Sequence, residues 1–464
     1  MNNTRAALHV VILAAGQGKR MRSARPKVLQ TLAGKSLLAH VLDTADSLKP
    51  DQVTIVVGHG GEQVRAFVNG RKLVCVEQSP PRGTGDAVRC ALDVAPSFSP
   101  HDVVLVLYGD VPLLQSTSLL GLVDAAHRGQ FALLTQHRDA PEGYGRIVRD
   151  ASGAVQAIVE HKDATEAQLA ITEVNTGILA APKAALAAQV AALDCNNAQG
   201  EFYLTDCVGQ AVAAGMTITT LQPLFAWEAD GVNDPLQLEA LERHWQRHQA
   251  QGLMLAGVRL ADASRFDLRG SIKVGTDVEI DVGCVFEGKV TLGDHVRIGA
   301  HCVVRDSVIG AHSVIKPFCH LDGAELAENC DVGPFARLRP GSALQQGAHL
   351  GNFVEIKNTI LGRDSKAGHL TYLGDAIIGD RVNVGAGVIT CNYDGANKHR
   401  TLIGDDAFIG SDSQLVAPVT VGAGATIAAG TTVTRNAEAN ALTLSRVPQR
   451  CVMTWKRPRK KPAI

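Results

Sequence analysis

The spacing of apolar residues divides the chain into two parts with different periods. Up to about residue 230, short runs of β-branched residues alternate with stretches in which apolar residues recur at helical spacing. This alternation predicts a mostly parallel sheet covered by helices, the Rossmann-like α/β class, which binds ligands beyond the carboxyl ends of its strands. The clearest predicted strands are 10–13, 53–57, 103–107 and 132–135, and the clearest helical stretches are 35–48 and 85–94.

Beyond residue 256, an aliphatic residue recurs every six positions and is often followed by glycine. If each hexapeptide forms one short strand and one corner, three hexapeptides make a coil. Stacked coils then make a parallel β-helix, which we expect to be left-handed. A loop-rich sandwich would not keep this phase over such a length. The predicted inward positions are Val274, Ile280, Phe286, Leu292, Ile298, Val304, Ile309, Ile315, Leu321, Leu326, Val332, Leu338, Leu344, Leu350, Ile356, Leu361, Ala367, Leu373, Ile378, Val384, Ile403, Ile409, Leu415, Val421, Ile427 and Val433.

The two parts are joined by a polar, amphipathic stretch at 235–250 that predicts a single helix. We therefore expect a first domain at 1–232, a linker helix at 233–255 and a β-helix domain at 256–464. A non-repeating insertion at 391–400 interrupts the second pattern. Loops that leave a solenoid commonly form its binding surface.

Charge and cysteine content exclude some classes of function. Lysine and arginine total 45 against 46 acidic residues, a net charge of -1, which argues against a general nucleic-acid binder. The ten cysteines form no C-x-x-C pair, so we expect reduced thiols in a cytoplasmic protein rather than a zinc site or a disulfide framework. No segment approaches the ~20 apolar residues that span a bilayer, and the apolar stretch 9–15 is too short for a secretory signal.

The carboxyl-terminal tail carries the one basic cluster of the sequence. Such a tail is either a solvated end or an aid in holding a polyanionic ligand. The cluster consists of Lys456, Arg457, Arg459, Lys460 and Lys461.

A glycine-containing loop follows the first predicted strand. Gly16 and Gly18 let backbone N–H groups approach a phosphate, and Arg20 and Lys27 add cations that grip a triphosphate. The loop lacks the third glycine of a dinucleotide fingerprint and the G-K-[ST] of a P-loop, so an ordinary strand-to-helix turn is the alternative. Asp110 ends the strand 103–107, where it is either a turn residue or an oxygen ligand for Mg²⁺.

A second group of polar residues lies in the repeat region. It contains His369, and histidine as a residue type suits general-base catalysis at neutral pH, although a lone corner histidine is more often only solvated. Arg339 and Lys357 each follow an inward position by one residue and lie one coil apart. We therefore expect two stacked, outward cations that suit a sugar phosphate.

Several motifs together resemble the sugar-phosphate nucleotidyltransferases. More narrowly, nearly the whole chain resembles the bacterial bifunctional N-acetylglucosamine-1-phosphate uridyltransferase/glucosamine-1-phosphate acetyltransferase family. The motifs are LAAGxGxRM at 13–21, Pro26-Lys27, Gln78 with Gly83-Thr84-Gly85, Tyr108-Gly109-Asp110, Gly143-Tyr144-Gly145-Arg146, residues 159–162, Asn175-Thr176-Gly177 and Gly231-Val232-Asn233.

The resemblance implies a first site that transfers uridylyl from UTP to N-acetylglucosamine 1-phosphate. Catalysis would use Arg20 and Lys27, and Mg²⁺ would bind Asp110 and Asn233. Lys19 replaces the threonine usual in the family. The implied ligands of UTP and the sugar are Leu13, Ala14, Gly16, Lys27, Gln78, Gly83, Thr84, Tyr108, Gly109, Asp110, Gly145, Glu160, Asn175 and Asn233.

The resemblance also implies a second site, with His369 as the base, that acetylates glucosamine 1-phosphate with acetyl-CoA as co-substrate. This product would feed the first site, and the final UDP-sugar would feed cell-envelope polymers. The family forms homotrimers with these sites between neighbouring β-helices. The implied sugar-phosphate ligands are Arg339, Lys357, Tyr372, Asn383 and Lys398, and the implied acetyl-CoA ligands are Ala386, Asn392, Tyr393, Ser411, Ala429 and Arg446.

Three other functions are compatible with parts of this pattern. The β-helix could merely oligomerise or sense effectors beside a single nucleotidyltransferase, but its length and the set His369, Tyr372 and Asn383 argue against that. It could be an acyltransferase fed by an acyl carrier protein beside a degenerate first half, but the first half is intact at Gly16, Arg20, Lys27 and Asp110. A purely structural solenoid protein would need neither the phosphate loop nor Asp110.

Overall fold

The computed structural model describes residues 6–16, 18–95, 99 and 101–458. The chain divides into two compact units, Met1–Trp245 and Gln246–Ile464. The division falls inside a long helix, Pro235–Leu255, which begins where the predicted helix does and continues five residues beyond it. Three residues of the basic tail, Arg459, Lys460 and Lys461, lie outside the described residues.

The first unit alternates strands and helices as its periodicity predicts. Its strands are β1 (Leu8–Ala14), β2 (Thr31–Leu32), β3 (Lys35–Ser36), β4 (Gln52–Val57), β5 (Val74–Glu77), β6 (Val103–Tyr108), β7 (Phe131–His137), β8 (Arg146–Arg149), β9 (Val155–Val159), β10 (Glu173–Pro182) and β11 (Ile218–Leu221). Its helices are α1 (Leu37–Ser47), α2 (Gly61–Val68), α3 (Thr84–Asp93), α4 (Ser116–His127), α5 (Glu166–Leu169), α6 (Lys183–Ala191), α7 (Asp206–Ala213) and α8 (Pro235–Leu255), the last of which continues into the second unit. Short 3-10 helices span Lys19–Met21, Lys27–Leu29 and Ala226–Ala229.

The sheet has the order β11-β7-β10-β6-β1-β4-β5, and β8 and β9 extend it beside β10. β1 pairs in parallel with both β4 and β6, whereas β10 runs antiparallel to its neighbours β6 and β7. Every residue of β1 is buried because helices cover both faces of the sheet. The carboxyl ends of β1, β4 and β6 therefore open on one edge, where parallel sheets bind ligands.

Helix α1 begins two residues later than its periodicity predicts. Lys35–Ser36 pairs with Thr31–Leu32 as a short hairpin, which removes both residues from the helix. Ser36 then caps α1, because its hydroxyl accepts a hydrogen bond from the Ala39 N–H at 3.1 Å. A local pairing thus overrides the helical pattern.

The second unit is a stack of short parallel strands, with one 3-10 helix at Ala263–Arg265. The strands are β12 (Arg259–Leu260), β13 (Phe266–Val274), β14 (Glu279–Ile280), β15 (Cys284–Leu292), β16 (Arg297–Ile298), β17 (Val303–Arg305), β18 (Val308–Ile309), β19 (Val314–Ile315), β20 (His320–Asp322), β21 (Ala324–Leu326), β22 (Asp331–Val332), β23 (Arg337–Leu338), β24 (Ser342–Leu344), β25 (His349–Asn352), β26 (Glu355–Lys357), β27 (Ile360–Leu361), β28 (Lys366–His369), β29 (Tyr372–Gly374), β30 (Ala376–Ile378), β31 (Asn383–Val384), β32 (Ile389–Cys391), β33 (Thr401–Ile403), β34 (Phe408–Ile409), β35 (Gln414–Val416), β36 (Val419–Val421), β37 (Thr426–Ile427), β38 (Thr432–Val433) and β39 (Leu442–Thr443).

The register of these strands confirms the predicted coils of three hexapeptides. Leu338 pairs with Ile356 across 18 residues, and Ile356 pairs with Leu373 across 17, so like positions of successive coils stack. Every predicted inward residue is buried except Val274, which is partly buried. The interior of the β-helix is therefore a continuous apolar core.

The insertion is absorbed without loss of register. Ile378 pairs with Ile403 across 25 residues, so the extra segment leaves one corner and the coil then resumes in phase. Just before it, Thr390 takes an inward position and is almost fully buried. Its hydroxyl accepts from the Gly374 N–H at 2.7 Å and donates to the Gly374 carbonyl at 3.0 Å. The polar group of this inward residue is thus fully hydrogen-bonded.

A buried histidine in the central strand predicts acid sensitivity of the first unit. Burial, with a smaller contribution from Lys183, lowers the pKa of His9 to about 4. The unfolded chain binds this proton below ~6.5 but the folded chain only near 4. The free energy of unfolding should therefore fall by roughly 3 kcal/mol as the pH decreases from 6.5 to 4.

We expect His9→Leu to remove this part of the pH dependence, measured by urea unfolding followed through tryptophan fluorescence. His127→Gln is the matched control, since His127 is exposed at the end of α4. It should retain the acid slope of the wild type. Equal slopes in the wild type and His9→Leu would contradict the prediction.

Candidate active sites

A cavity of about 450 Å³ opens at the carboxyl ends of β1 and β6. Leu13 lies opposite Tyr108 in this parallel pair, so the loop after β1 lies beside the turn after β6. Nine residues predicted to bind UTP or the sugar line the cavity together: Leu13, Ala14, Gly16, Lys27, Gln78, Gly83, Thr84, Tyr108 and Asp110. Residues that sequence reasoning did not single out complete the lining: Ala15, Val28, Pro81, Ala87 and Glu201.

Lys27 joins the two predicted ligands of Mg²⁺. Its ammonium donates to the Asp110 carboxylate and to the Asn233 side-chain oxygen, the latter at 3.1 Å. The backbone holds both partners near each other, since the Val232 N–H donates to the Asp110 carbonyl at 2.9 Å. Two hard oxygen atoms thus converge on one cation.

This pair fits a magnesium ion that takes its remaining ligands from phosphate and water, as Mg²⁺ usually does. Among the described residues, no group of three or more histidine, cysteine, aspartate or glutamate side chains could hold a metal by itself. Asp110 and Asn233 would therefore hold Mg²⁺ only together with a bound phosphate.

The phosphate loop and Lys27 are packed so closely that residue 18 must be glycine. Gly18 has φ +59°, and a Cβ built there would lie 2.7 Å from the Lys27 Cβ. The 3-10 helix Lys27–Leu29 aims this lysine into the cavity. The backbone of this loop therefore helps to set the position of the Lys27 side chain.

A second cluster lies beside Tyr108 and contains residues predicted to bind the sugar. Glu160 accepts a hydrogen bond from the Thr205 hydroxyl at 3.0 Å, and burial raises the pKa of its carboxyl. The Gly145 carbonyl accepts from the Asn175 N–H at 2.9 Å. Burial, and then the charges of Glu160 and Asp110, raise the pKa of the Tyr108 hydroxyl. Glu160 is thus half-buried and held by a hydrogen bond at this cluster.

Two other predicted residues contribute differently. Gly109 acts through its backbone, since its N–H donates to the Leu13 carbonyl at 2.9 Å and ties the two strand ends together. Arg20 is exposed and does not line the cavity. The buried Met21 occupies the inward side of their short helix, which leaves Arg20 outside.

In the second unit, three predicted cations meet at one corner. Lys357 follows its inward position by one residue, as predicted, and its neighbours are Lys398 from the insertion and Arg339 from the preceding coil. Lys398 first, and then Arg339, lower the pKa of the Lys357 ammonium. Like charges held this close favour an anion between them.

Asp375 organises this corner. Its carboxylate accepts hydrogen bonds from the side-chain amides of Asn358 and Asn392, each at 2.5 Å, which anchors the start of the insertion. Burial acts to raise the pKa of Asp375, but these two bonds, with smaller contributions from Lys398 and Lys357, outweigh it and lower the pKa. The Tyr372 hydroxyl lies at the same corner, because a Cβ built on the adjacent Gly374 would be 2.4 Å from it.

The insertion is closed by its own contacts. His399 Nε2 lies 2.7 Å from the Asp394 carboxylate, and the Tyr393 hydroxyl donates to the Gly395 carbonyl at 2.6 Å. The ring of Tyr393 stays exposed, at 60%. The segment is therefore an ordered loop that presents an aromatic face.

His369 belongs to a second feature of this unit, a column of residues at one corner of successive coils. Its Nδ1 donates to the side-chain oxygen of Asn352, 17 residues earlier, at 2.6 Å, which leaves Nε2 as the acceptor. The strand register places the predicted acetyl-CoA residues Ala386, Ser411 and Ala429 above it, one in each further coil. We call this set, with Asn352 and His369, the small-residue column.

Not all predicted ligands join these features. Asn383 lies on β31, paired with Lys366 and Phe408, in the same sheet as His369 but in a different sheet from Lys357. Arg446 is exposed beyond the last strand, near the end of the column. Sequence reasoning missed Asn352, although the period of 17 or 18 residues could have shown it.

Known proteins resemble the chain over nearly its whole length. The MobA-like NTP transferase domain matches residues 10–203, and the bacterial transferase hexapeptide (six repeats) matches residues 271–306 and 400–435. A protein of Ralstonia nicotianae named bifunctional protein GlmU is 56% identical over 451 residues, which cover 97% of this chain and 98% of the relative. The chain belongs to the GlmU family.

The GlmU protein of Burkholderia vietnamiensis is likewise 56% identical, over 98% of this chain and 100% of its own length. A solved nucleotidyl transferase from Methanothermobacter thermautotroptrophicus covers 52% of this chain and 99% of its own, at 16% identity and a TM-score of 0.38, which is too low to support an argument.

Membership of the GlmU family confirms the predicted family and makes the chain a bifunctional transferase. Its nucleotidyltransferase domain precedes an acyltransferase domain of hexapeptide repeats, as the fold class predicted. None of the helices in the described residues is long and apolar enough to cross a membrane.

The contact between Gly18 and Lys27 predicts a selective defect. Gly18→Ala should push Lys27 out of place and lower nucleotidyl transfer by about 100-fold, since a displacement of about 1 Å can have that effect. The measurement is pyrophosphate release by the purified full-length variant.

Gly129→Ala is the matched control for backbone strain. Gly129 also has a positive φ, +82°, but a Cβ built there would meet nothing within 4 Å. It should lose stability without a comparable loss of activity. An equal loss of activity in both variants would show that strain, rather than the contact with Lys27, matters.

Proposed function

We propose that the chain makes UDP-N-acetylglucosamine in two steps at two separate sites. The second unit acetylates glucosamine 1-phosphate, and the first unit then transfers uridylyl from UTP to the N-acetylglucosamine 1-phosphate. Membership of the GlmU family supports both activities. The observation that supports the proposal most strongly is that one chain carries a phosphate cavity with two oxygen ligands and, separately, a cationic corner with a histidine that can act as a base.

In the first site, an oxygen of the sugar phosphate attacks the α-phosphorus of UTP, and the bond to the β-phosphate breaks to release pyrophosphate. We assign phosphate binding to Lys27 and the loop at Gly16, because both line the cavity. Asp110 and Asn233 would hold Mg²⁺, which would neutralise charge on the phosphates. We assign binding of the base to Gln78, which also lines the cavity. No covalent intermediate is needed.

In the second site, His369 Nε2 takes a proton from the amine of glucosamine 1-phosphate as that amine attacks the thioester of acetyl-CoA. The carbon–sulfur bond then breaks and the thiol of CoA leaves. Asn352 holds the histidine in the tautomer that this step needs. Arg339, Lys357 and Lys398 bind the sugar phosphate, and the small side chains of the column leave room for the extended arm of CoA.

The finer assignments follow from these roles. We propose that nucleotidyl transfer takes place in the domain 1–232, that the helix 233–255 is a linker, and that acetyl transfer takes place in the domain 256–464. Both reactions would occur in the cytoplasm, where UTP and acetyl-CoA are made. Arg20 and Asn383 keep their predicted roles only if ligand binding, or a neighbouring chain, brings them to the substrates.

We also propose a homotrimer that assembles through one face of the β-helix. Ala343, Ile360, Ile377 and Leu402 stack on consecutive coils of that face. The three large side chains are 41%, 38% and 40% exposed, in that order. Such a continuous apolar row on a sheet face is characteristic of a surface that a further copy covers.

Two single variants separate the two activities. His369→Ala should lower acetyl transfer from acetyl-CoA to glucosamine 1-phosphate by about 100- to 10,000-fold and leave uridylyl transfer unchanged. Asp110→Ala should lower Mg²⁺-dependent pyrophosphate release from UTP and N-acetylglucosamine 1-phosphate by about 100-fold or more and leave acetyl transfer unchanged. Both reactions are measured on the same full-length preparation.

Each variant thus serves as the folding control for the other. If His369→Ala retained full acetyl transfer, the assignment of the base would be wrong. If the wild type transferred uridylyl but never acetyl, the β-helix would be a scaffold, and the chain would be a nucleotidyltransferase only.

The apolar row predicts the effect of charge on assembly. The double variant Ile360→Glu, Ile377→Glu should shift the molecular mass from a trimer to a monomer in light scattering after gel filtration, because buried glutamates would lack partners. Leu442→Glu, on another sheet of the β-helix, is the control and should leave the mass unchanged. A double variant that stayed trimeric would place the interface elsewhere.

A further inference from the structure

The first unit contains a buried carboxylate that has no part in the proposed chemistry. Asp86 lies in the first turn of α3 and is 2% exposed. One oxygen, Oδ1, accepts from Arg82 at 3.1 Å and from Arg89, and the other, Oδ2, accepts from Gln78 Nε2 at 2.9 Å. A buried charge persists only when it is paired and hydrogen-bonded, so this arrangement is strongly determined.

The two arginines are themselves held in place. Their guanidinium groups lie over the ring of Phe202, at 5.9 Å for Arg82 and 5.4 Å for Arg89. The backbone of Phe202 donates to the Arg82 carbonyl and accepts from the Gly85 N–H, each at 2.8 Å. Oδ1 of Asp86 therefore faces the N–H donors of two arginines whose positions are fixed.

On its other side, Asp86 faces the side-chain amide of Gln78. This amide has two N–H donors, and they go to the Asp86 carboxylate and to the Gly83 carbonyl, each at 2.9 Å. Both partners only accept, so a flipped amide would set its oxygen against two acceptors. Within the described chain, Oε1 receives no hydrogen bond, and Gln78 lines the cavity although it is 5% exposed.

We propose that Asp86 is a positioning residue that fixes the amide of Gln78 with its oxygen toward the base of the nucleotide. This inference rests on the proposed role of Gln78 in the first site. The Gln78 oxygen accepts from the N3–H of uracil, whereas cytosine presents an unprotonated N3 and places two acceptors face to face. Asp86 thereby sets the preference for UTP over CTP without touching the nucleotide.

The hydrogen-bond partners of Asp86 predict how the substitution Asp86→Asn would change the orientation of the Gln78 amide. In Asp86→Asn, the side-chain oxygen stays with Arg82 and Arg89, so its NH₂ group faces Gln78. Two NH₂ groups then face each other, and only the Gly83 carbonyl still favours the original orientation of the Gln78 amide. The turned-over amide, which presents Nε2 to the base, therefore becomes populated, and in that form the site donates where it used to accept.

The test measures kcat/KM for UTP and CTP with N-acetylglucosamine 1-phosphate and Mg²⁺, using the full chain. In Asp86→Asn the UTP to CTP ratio should fall by about 10- to 100-fold, as expected when a buried polar pair is mismatched. Asp86→Ala, which permits both amide orientations, should give a ratio between those of Asp86→Asn and the wild type. A merely structural role would lower both kcat/KM values together and leave the ratio unchanged.

Two further variants separate the possible failures. Asp93→Asn makes the same change at an exposed position of the same helix and should leave the ratio unchanged. Gln78→Ala should lower the ratio if Gln78 reads the base. If the UTP to CTP ratio falls in Gln78→Ala but is unchanged in both Asp86 variants, the positioning role of Asp86 is wrong and the role of Gln78 stands. If the ratio is unchanged in Gln78→Ala as well, both the positioning role and the proposed base site are wrong.

Discussion

Parallel pairing of strands places chemically related positions of distant segments side by side, and both sites depend on it. In the first unit, the ends of β1 and β6 are adjacent, so a phosphate loop and an acidic turn nearly 100 residues apart share one cavity. In the second unit, each coil repeats the path of the one before, at the ~4.8 Å spacing of paired strands. Side chains one coil apart therefore form columns and stacked pairs without any local motif.

This constraint also explains how far the sequence alone could predict the structure. The period of six predicts the β-helix and its inward residues because burial acts on every coil in the same way. The same period could have shown that Asn352 lies against His369. The contact of Lys27 with Asp110 and Asn233 has no such signal, since 83 and 206 residues separate them and no repeat relates them. Only the resemblance to a family placed those residues together.

Propensity failed where a local or tertiary contact opposed it. Lys35–Ser36 continues a helical pattern but pairs as a strand. The side of the short helix on which Arg20 lies could not be predicted from its charge, since that depends on the burial of Met21. Asp86 was not singled out, since an aspartate early in a helix usually needs no explanation beyond the helix dipole. Its importance becomes visible only once its three partners are known.

The two sites also differ in how they hold positive charge before a substrate arrives. Lys27 is already neutralised by the Asp110 carboxylate, so phosphate must compete for it. Lys357 and Lys398 instead lie against each other, and a single carboxylate, Asp375, only partly offsets them. The free energy of that repulsion is released when an anion binds. We therefore expect the corner of the β-helix to depend more steeply on ionic strength than the cavity does.

The insertion after Thr390 has a consequence for how such a chain can change over evolution. It leaves and rejoins the coil in register, so its length is independent of the pitch of the β-helix, and lengthening a loop of this kind adds little entropic cost. Lys398, near the end of the loop, can therefore be moved, replaced or supplemented while the column above His369 keeps its spacing. A scaffold of this design can acquire a different acceptor substrate through changes in that part of one loop, provided that Asn392 and Tyr393, at its start, are kept for the donor.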